Sequence, residues 1–234
     1  MLRYRELESS SLYAGLGVQL VDEFASVPAA GIEAPPLGWT QIDIDLDDGG
    51  VWRPVDPATL VASRSPAGII WYPWLEHHAD ARGMAARNYR VRVGAEHYTP
   101  RYRYDAEGVT VTVSPYDDNN APASIAASPT KITLLPASTY PFAPAVPVLR
   151  GIVVDSANAP VADAMVTWAY GTLQAESVLT DADGEFALPM RRAPLDTPID
   201  VHAERPPPPG TGPSGDVIVR IPQDLSTFHT IQIS

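Results

Sequence analysis

Short runs of alternating apolar and polar residues, cut repeatedly by proline or glycine, constrain this chain more than any other feature. Proline breaks a helix and lacks the donor that a central strand needs. With Pro 25 and Gly 16 in 234 residues, a 3.6-residue period has little room to persist. The best helical stretches are short, Met1–Ser9 and Glu76–Ala86. Alternation with a period of two recurs instead. Val18–Asp22 reads as a strand. Trp39–Leu46 reads as another, with Ile42, Ile44 and Leu46 on one face and Asp43, Asp45 and Asp47 on the other. Further strands are expected at Gly68–Tyr72, Tyr89–Val93, Val109–Val113, Lys131–Leu135, Leu149–Asp155, Ala164–Ala169, Gly184–Leu188, Ile199–Ala203, Asp216–Arg220 and Thr230–Ile233. Short strands separated by turn signals describe an all-β chain of antiparallel β-sandwiches.

Composition narrows the classes. Hydrophobic residues make up 45% and charged ones 19%, enough apolar material for real cores. The net charge of −12 argues against a polyanionic partner such as nucleic acid. Cysteine is absent, which removes disulfide scaffolds and thiolate-bound zinc. No run approaches the roughly 20 apolar residues of a membrane helix. Glu6, Glu8 and Ser9–Ser11 interrupt what a secretory leader would need. The expectation is synthesis in the cytoplasm.

The segment Pro136–Pro147 carries prolines at 136, 141, 144 and 147 and reads as an extended, semi-rigid linker. It divides the chain into two tandem sandwiches, 1–147 and 148–234. Up to Pro147 there are 11 basic and 17 acidic residues, and beyond it 5 and 11, so each half carries −6. Neither is a basic nucleic-acid module. A second proline run, Pro206–Pro209, followed by Gly210, Gly212, Pro213 and Gly215, reads as a long exposed loop between two strands.

The second half holds the most specific pattern. Leu149–Asp155 is a strand, Ser156–Pro160 a turn, Val161–Val166 the return, and Thr180–Gly184 a turn into Glu185–Leu188. Asp155 can cap its turn with its carboxylate, and Gly184 can adopt the positive φ that such a turn requires. Phe186 and Leu188 then share a core-facing side. Gly151, Val153, Asp155, Pro160, Val161, Ala164, Val166, Thr180, Asp181, Gly184 and Phe186 together resemble the carboxypeptidase regulatory-like domain, a transthyretin-like seven-stranded β-sandwich. The resemblance covers roughly residues 148–234. It implies a mostly non-catalytic module, with these residues structural. The first half repeats the plan more loosely. Gly17–Asp22 matches Gly151–Asp155 in kind, Pro28 follows as Pro160 does, and Ser65–Tyr72 resembles Asp181–Leu188.

Candidate chemistry is sparse. Asp43, Asp45, Asp47 and Asp48 precede Gly49-Gly50 and could supply oxygens to Ca²⁺, but the order does not fit an EF-hand loop. A solvated strand face whose like charges discourage edge pairing is the commoner meaning. Trp71, Tyr72 and Trp74, with His77 and His78 beyond, form an aromatic cluster that could anchor a protein interface or stack on a sugar. Sandwich core is the commoner meaning there. Arg87, Arg90, Arg92, Arg101 and Arg103, interleaved with Tyr98, Tyr102 and Tyr104, form a basic patch suited to a protein interface or to pairing with nearby acids. Tyr116–Pro122 is a polar loop. There is no Gly-x-Ser-x-Gly elbow, phosphate loop or His-Glu-x-x-His motif.

The sequence therefore predicts a non-catalytic structural or adaptor protein of a larger assembly, without cofactor. The expected setting is a phage tail, baseplate or contractile-injection-type particle, entered after cytoplasmic synthesis. Other protein subunits are the expected partners. Leu2, Tyr4 and Leu7 of the tail, Trp71, Tyr72 and Trp74, and Arg90 and Arg92 are the expected contacts. The alternative is a surface module that binds glycan or protein through the aromatic cluster.

Overall fold

The computed structural model of the chain describes residues 15–56, 60–65, 68–72, 86–113, 129–171, 176–205 and 212–234. The fold is all-β. The first ten strands are β1 (Leu16–Val27), β2 (Ile32–Ala34), β3 (Thr40–Asp48), β4 (Val51–Pro54), β5 (Ser63–Arg64), β6 (Ile69–Tyr72), β7 (Arg87–Ala95), β8 (Tyr98–Pro100), β9 (Val109–Val113) and β10 (Thr130–Pro136). Seven more follow: β11 (Val148–Val154), β12 (Met165–Ala169), β13 (Ser177–Leu179), β14 (Glu185–Pro189), β15 (Pro198–Glu204), β16 (Ser214–Arg220) and β17 (Phe228–Gln232). One sheet has the order β5-β6-β1-β10-β8, with β2 paired to β1, and a second has the order β4-β3-β7-β9. The other two are β14-β11-β17 and β13-β12-β15-β16. Every strand expected from alternation is present. The added strands β2, β4, β5, β8 and β13 are two to four residues long, too short to register as a period. The expected helices at Met1–Ser9 and Glu76–Ala86 lie almost wholly outside the described residues.

The chain separates into two compact units, and the boundary is not the cut at about residue 147. One comprises the described parts of Met1–Gln19, Asp43–Val91 and Thr110–Lys131. The other comprises Leu20–Ile42, Arg92–Val109 and Ile132–Ser234. The proline-rich segment belongs to the second unit as packed structure. Pro136 is the last residue of β10 and stands opposite Tyr98 of β8, at a strand end where a missing donor is tolerated. The Ala137 N–H donates to the His97 carbonyl at 2.9 Å. The Tyr140 ring is buried, with edge contacts to Phe24 and Tyr98 and a tilted contact to Phe142.

The last seven strands form a β-sandwich, as the second half predicts. Its core joins Leu149, Val153, Phe186, Leu188 and Ile231 of the three-stranded sheet to Val166, Trp168, Val178, Ile199, Val201 and Val219 of the four-stranded one. The turn residues act as their chemistry suggests. Asp155 Oδ1 accepts from the Ala157 and Ala159 N–H groups at 2.8 and 2.9 Å. Asp181 Oδ1 accepts from Asp183 and Glu185 at 3.0 and 2.9 Å. Buried Thr180 donates its hydroxyl to the Val161 carbonyl and accepts from the Ala164 N–H. Gly184 has φ +75°, and a Cβ there would lie 2.7 Å from the Val153 carbonyl oxygen. Gly184→Ala is therefore expected to cost about 2 kcal/mol or more, from left-handed strain plus a backbone clash. A lower urea midpoint with an unchanged slope would register that loss.

One corner of the first half shares three hydrogen bonds with this turn. The Gly68 N–H donates to the Ser65 carbonyl and the Ser65 N–H to the Ile69 carbonyl, as Gly184 does to Asp181 and Asp181 to Glu185. Ser65 Oγ takes the place of the Asp181 carboxylate, accepting from the Ile69 N–H at 3.2 Å. Gly68 has φ +77°. The copy departs at Asp22. Asp155 follows the end of its strand, whereas β1 runs on past Asp22 to Val27 with a register shift between them.

Candidate functional site

The expected contact residues divide into three groups. Leu2, Tyr4, Leu7 and Trp74 lie outside the described residues, as do His77, His78 and the Tyr116–Pro122 loop. Trp71 and Tyr72 are described, and they do not form a surface cluster. Adjacent strand residues point to opposite faces. Tyr72 is buried, and its hydroxyl pKa is raised, chiefly by that burial. Trp71 stands opposite Gly17 in the β1–β6 ladder, and its indole covers Gly15 and Gly17. A Cβ on Gly17 would lie 2.3 Å from that ring. The two glycines make the slot that the indole fills. Trp71→Ala is accordingly expected to lower stability by about 2 kcal/mol, less than for a fully buried ring. The readout is the thermal midpoint.

Arg90 is likewise committed within the first unit. Its guanidinium pairs with Asp45 at 2.9–3.0 Å and lies 5.1 Å from the centre of the Trp52 ring. Asp45 is 2% exposed, so the acidic face expected of β3 is not solvated at its centre. The arginine that neutralises Asp45 makes that burial possible. Asp47 Oδ1 accepts from the Gly50 N–H at 2.7 Å, closing the turn into β4, and Asp48 pairs with Arg53 at 2.9 Å. Arg92 and Asp43 also have partners. The Asp45, Asp47 and Asp48 oxygens serve a turn and cations of the chain itself. Among the described residues, no three His, Cys, Asp or Glu side chains are grouped to hold a metal ion.

The most elaborate polar centre surrounds Asp22, in the second unit. Its side chain is fully buried. Oδ2 accepts from the Tyr98 hydroxyl at 2.9 Å and from the Tyr140 hydroxyl at 3.0 Å. Oδ1 accepts from the Ala25 N–H at 3.0 Å. The Asp22 carbonyl accepts from Ser26 Oγ, and Ser26 Oγ accepts in turn from the Ala34 N–H at 2.9 Å. The Tyr98 hydroxyl also accepts from the Leu37 N–H at 2.8 Å. Three groups thus donate to one carboxylate, and a chain of bonds runs from it into the connection between β1 and β3. Burial drives the Tyr98 and Tyr140 pKa values upward, with the Asp22 charge and bond adding to it; Tyr140 rises to about 12. Both phenols stay protonated at neutral pH and act as donors. Beside them, the Arg191 guanidinium lies 3.9 Å from the Phe24 ring centre, donates to the Phe24 carbonyl at 2.8 Å, and pairs with Glu176.

This centre fixes geometry: the carboxylate is fully buried, and the three bonds it accepts come from the chain itself. In the sequence, Asp22 reads as a strand-ending residue and Tyr140 as linker. The overlooked signal was an acid inside a run of Val, Leu and Phe, which burial requires to be satisfied.

No protein-family model matches the chain, and no curated protein matches it. Solved structures to which the chain is loosely similar include the Bacillus anthracis TIE protein, at 12% identity and TM-score 0.26 over 94% of this chain and 33% of that one. A C-terminal fragment of the pilus adhesin SpaC from Lactobacillus rhamnosus GG matches at 12% identity and TM-score 0.26, covering 94% and 86%. The shaft pilin SpaA of the same organism matches at 10% and 0.25, covering 94% and 97%. The chain spans a third of the TIE protein's length. Superpositions this loose carry no argument about what the chain does.

Proposed function

We propose that the chain is a non-catalytic structural or adaptor component of a larger protein assembly. The observation that supports this reading most directly is the use of its polar side chains. Asp45 with Arg90, Asp47, Asp155, Asp181, Thr180 and Asp22 all serve the fold. Large apolar side chains, Trp39 and Leu37 among them, stay exposed instead. A surface of that kind suits partners better than substrates. The carboxypeptidase regulatory-like resemblance of the second half points the same way. The finer proposal is a phage-tail, baseplate or contractile-injection-type particle, which rests on analogy of fold.

The test is sedimentation of the tagged chain from the cells that make it. The expected result is co-migration with a particle far larger than the 25.2 kDa chain. Migration at that mass alone would overturn the proposal.

A further inference from the structure

The connection from β1 to β3 combines exposed apolar side chains with a fixed backbone. Val27, Ile32, Leu37 and Trp39 are all exposed, Leu37 by 51% and Trp39 by 58%. These four exposed apolar residues fall within 13 positions of the chain. The backbone beneath them is held. Val27 pairs with Ile32 and Asp22 with Ala34 in the β1–β2 ladder. The Leu37 N–H donates to the Tyr98 hydroxyl. The Glu96 N–H donates to the Trp39 carbonyl at 3.1 Å, and the Trp39 N–H approaches Glu96 Oε2 at 3.4 Å. Gly38, at φ +73°, turns the chain where a Cβ would lie 2.9 Å from the same Glu96 oxygen. An exposed indole on an ordered backbone loses little entropy on binding, and tryptophan is among the strongest interface anchors.

Charge selects the occupant. Glu33 is the sole charged residue between Val27 and Trp39, and the Glu96 carboxylate lies beside the Trp39 backbone. A second copy of the chain would bring another −12 and be repelled at long range. A guanidinium approaching Trp39 would gain both the ring face and the Glu96 charge. The chain already makes that arrangement internally, where Arg90 meets both Trp52 and Asp45.

We propose that Val27–Trp39 is a docking surface for another protein presenting an arginine-rimmed apolar patch, with Trp39 as anchor and Glu96 as the paired charge. This rests on the assembly reading and names its contact.

The experiment is calorimetric titration of the full chain with two synthetic peptides, one alternating Arg and Leu and one alternating Glu and Leu. Binding of the Arg–Leu peptide alone is expected, weakening as salt rises. Trp39→Ala is expected to weaken it at least tenfold, and Glu96→Gln severalfold with a flatter salt dependence. Trp39→Phe, which keeps an aromatic face, should retain part of the affinity, and circular dichroism confirms that each variant folds. Binding that ignores peptide charge, absence of Arg–Leu binding, or affinity unchanged in Trp39→Ala would each overturn the proposal. A dimer that Trp39→Ala dissolves would assign the surface to a second copy and overturn it as well. Co-sedimentation judges the assembly reading separately. A chain that enters a large particle yet ignores the peptides loses this surface and keeps its place in the assembly.

Discussion

Replacing Asp22 by alanine is expected to cost about 3–5 kcal/mol, the range for breaking a buried charged network by removing one member. The loss has identifiable parts. The Tyr98 and Tyr140 hydroxyls lose a shared acceptor, and the Ala25 N–H loses its partner. Each buried donor left unmade costs about 1–3 kcal/mol. For a chain of this size the unfolding midpoint should fall by roughly 10 °C. Asp22→Asn keeps an acceptor oxygen and should cost less. Calorimetry separates the two variants: equal midpoints for Ala and wild type would mean that the carboxylate does not hold this region. The phenols add a pH dependence. Their folded-state pKa values lie above the usual tyrosine value of about 10, so the folded chain retains protons that the unfolded chain releases. Their stabilising contribution is complete below pH 10 and is lost as pH rises toward 12. Stability that stays flat across that window would contradict the burial of Tyr98 and Tyr140.

Trp168→Ala should have a comparable effect by a different route. The ring is the largest fully buried side chain of the second sandwich, and its Nε1–H donates to the Pro189 carbonyl at 3.1 Å. Truncation leaves a cavity bounded by both sheets, for which about 3–5 kcal/mol is expected. Trp168→Phe isolates the polar share. It keeps most of the apolar volume and strands the Pro189 carbonyl, for about 1–3 kcal/mol. Urea midpoints should therefore order as wild type, Phe, Ala. If Phe were as damaging as Ala, the hydrogen bond rather than the ring volume would dominate this core.

Legibility of the fold followed the range of the interactions involved. Two-residue alternation is legible where a strand has one buried face, as at β7 and β15. Turn chemistry was equally local: Asp155, Asp181 and Gly184 act within four residues of themselves. Charge placement was not legible. Asp45 looks like a solvated strand acid until Arg90, 45 positions away, covers it. Tyr140 looks like linker until Asp22, 118 positions away, accepts its hydrogen bond. Trp71 reads as either a surface anchor or a core ring, because nothing local reveals that Gly15 and Gly17 make room for its indole. Trp39 looked like an ordinary strand start, because its exposure depends on Gly38 and Glu96.

The most direct test of the account compares the sedimentation of tagged wild-type and Trp39→Ala chains from the cells that make the protein. Wild type is expected to enter a fraction far heavier than its own 25.2 kDa, and Trp39→Ala to shift toward the free chain. Wild type that remains at its own mass would contradict a role in a larger assembly.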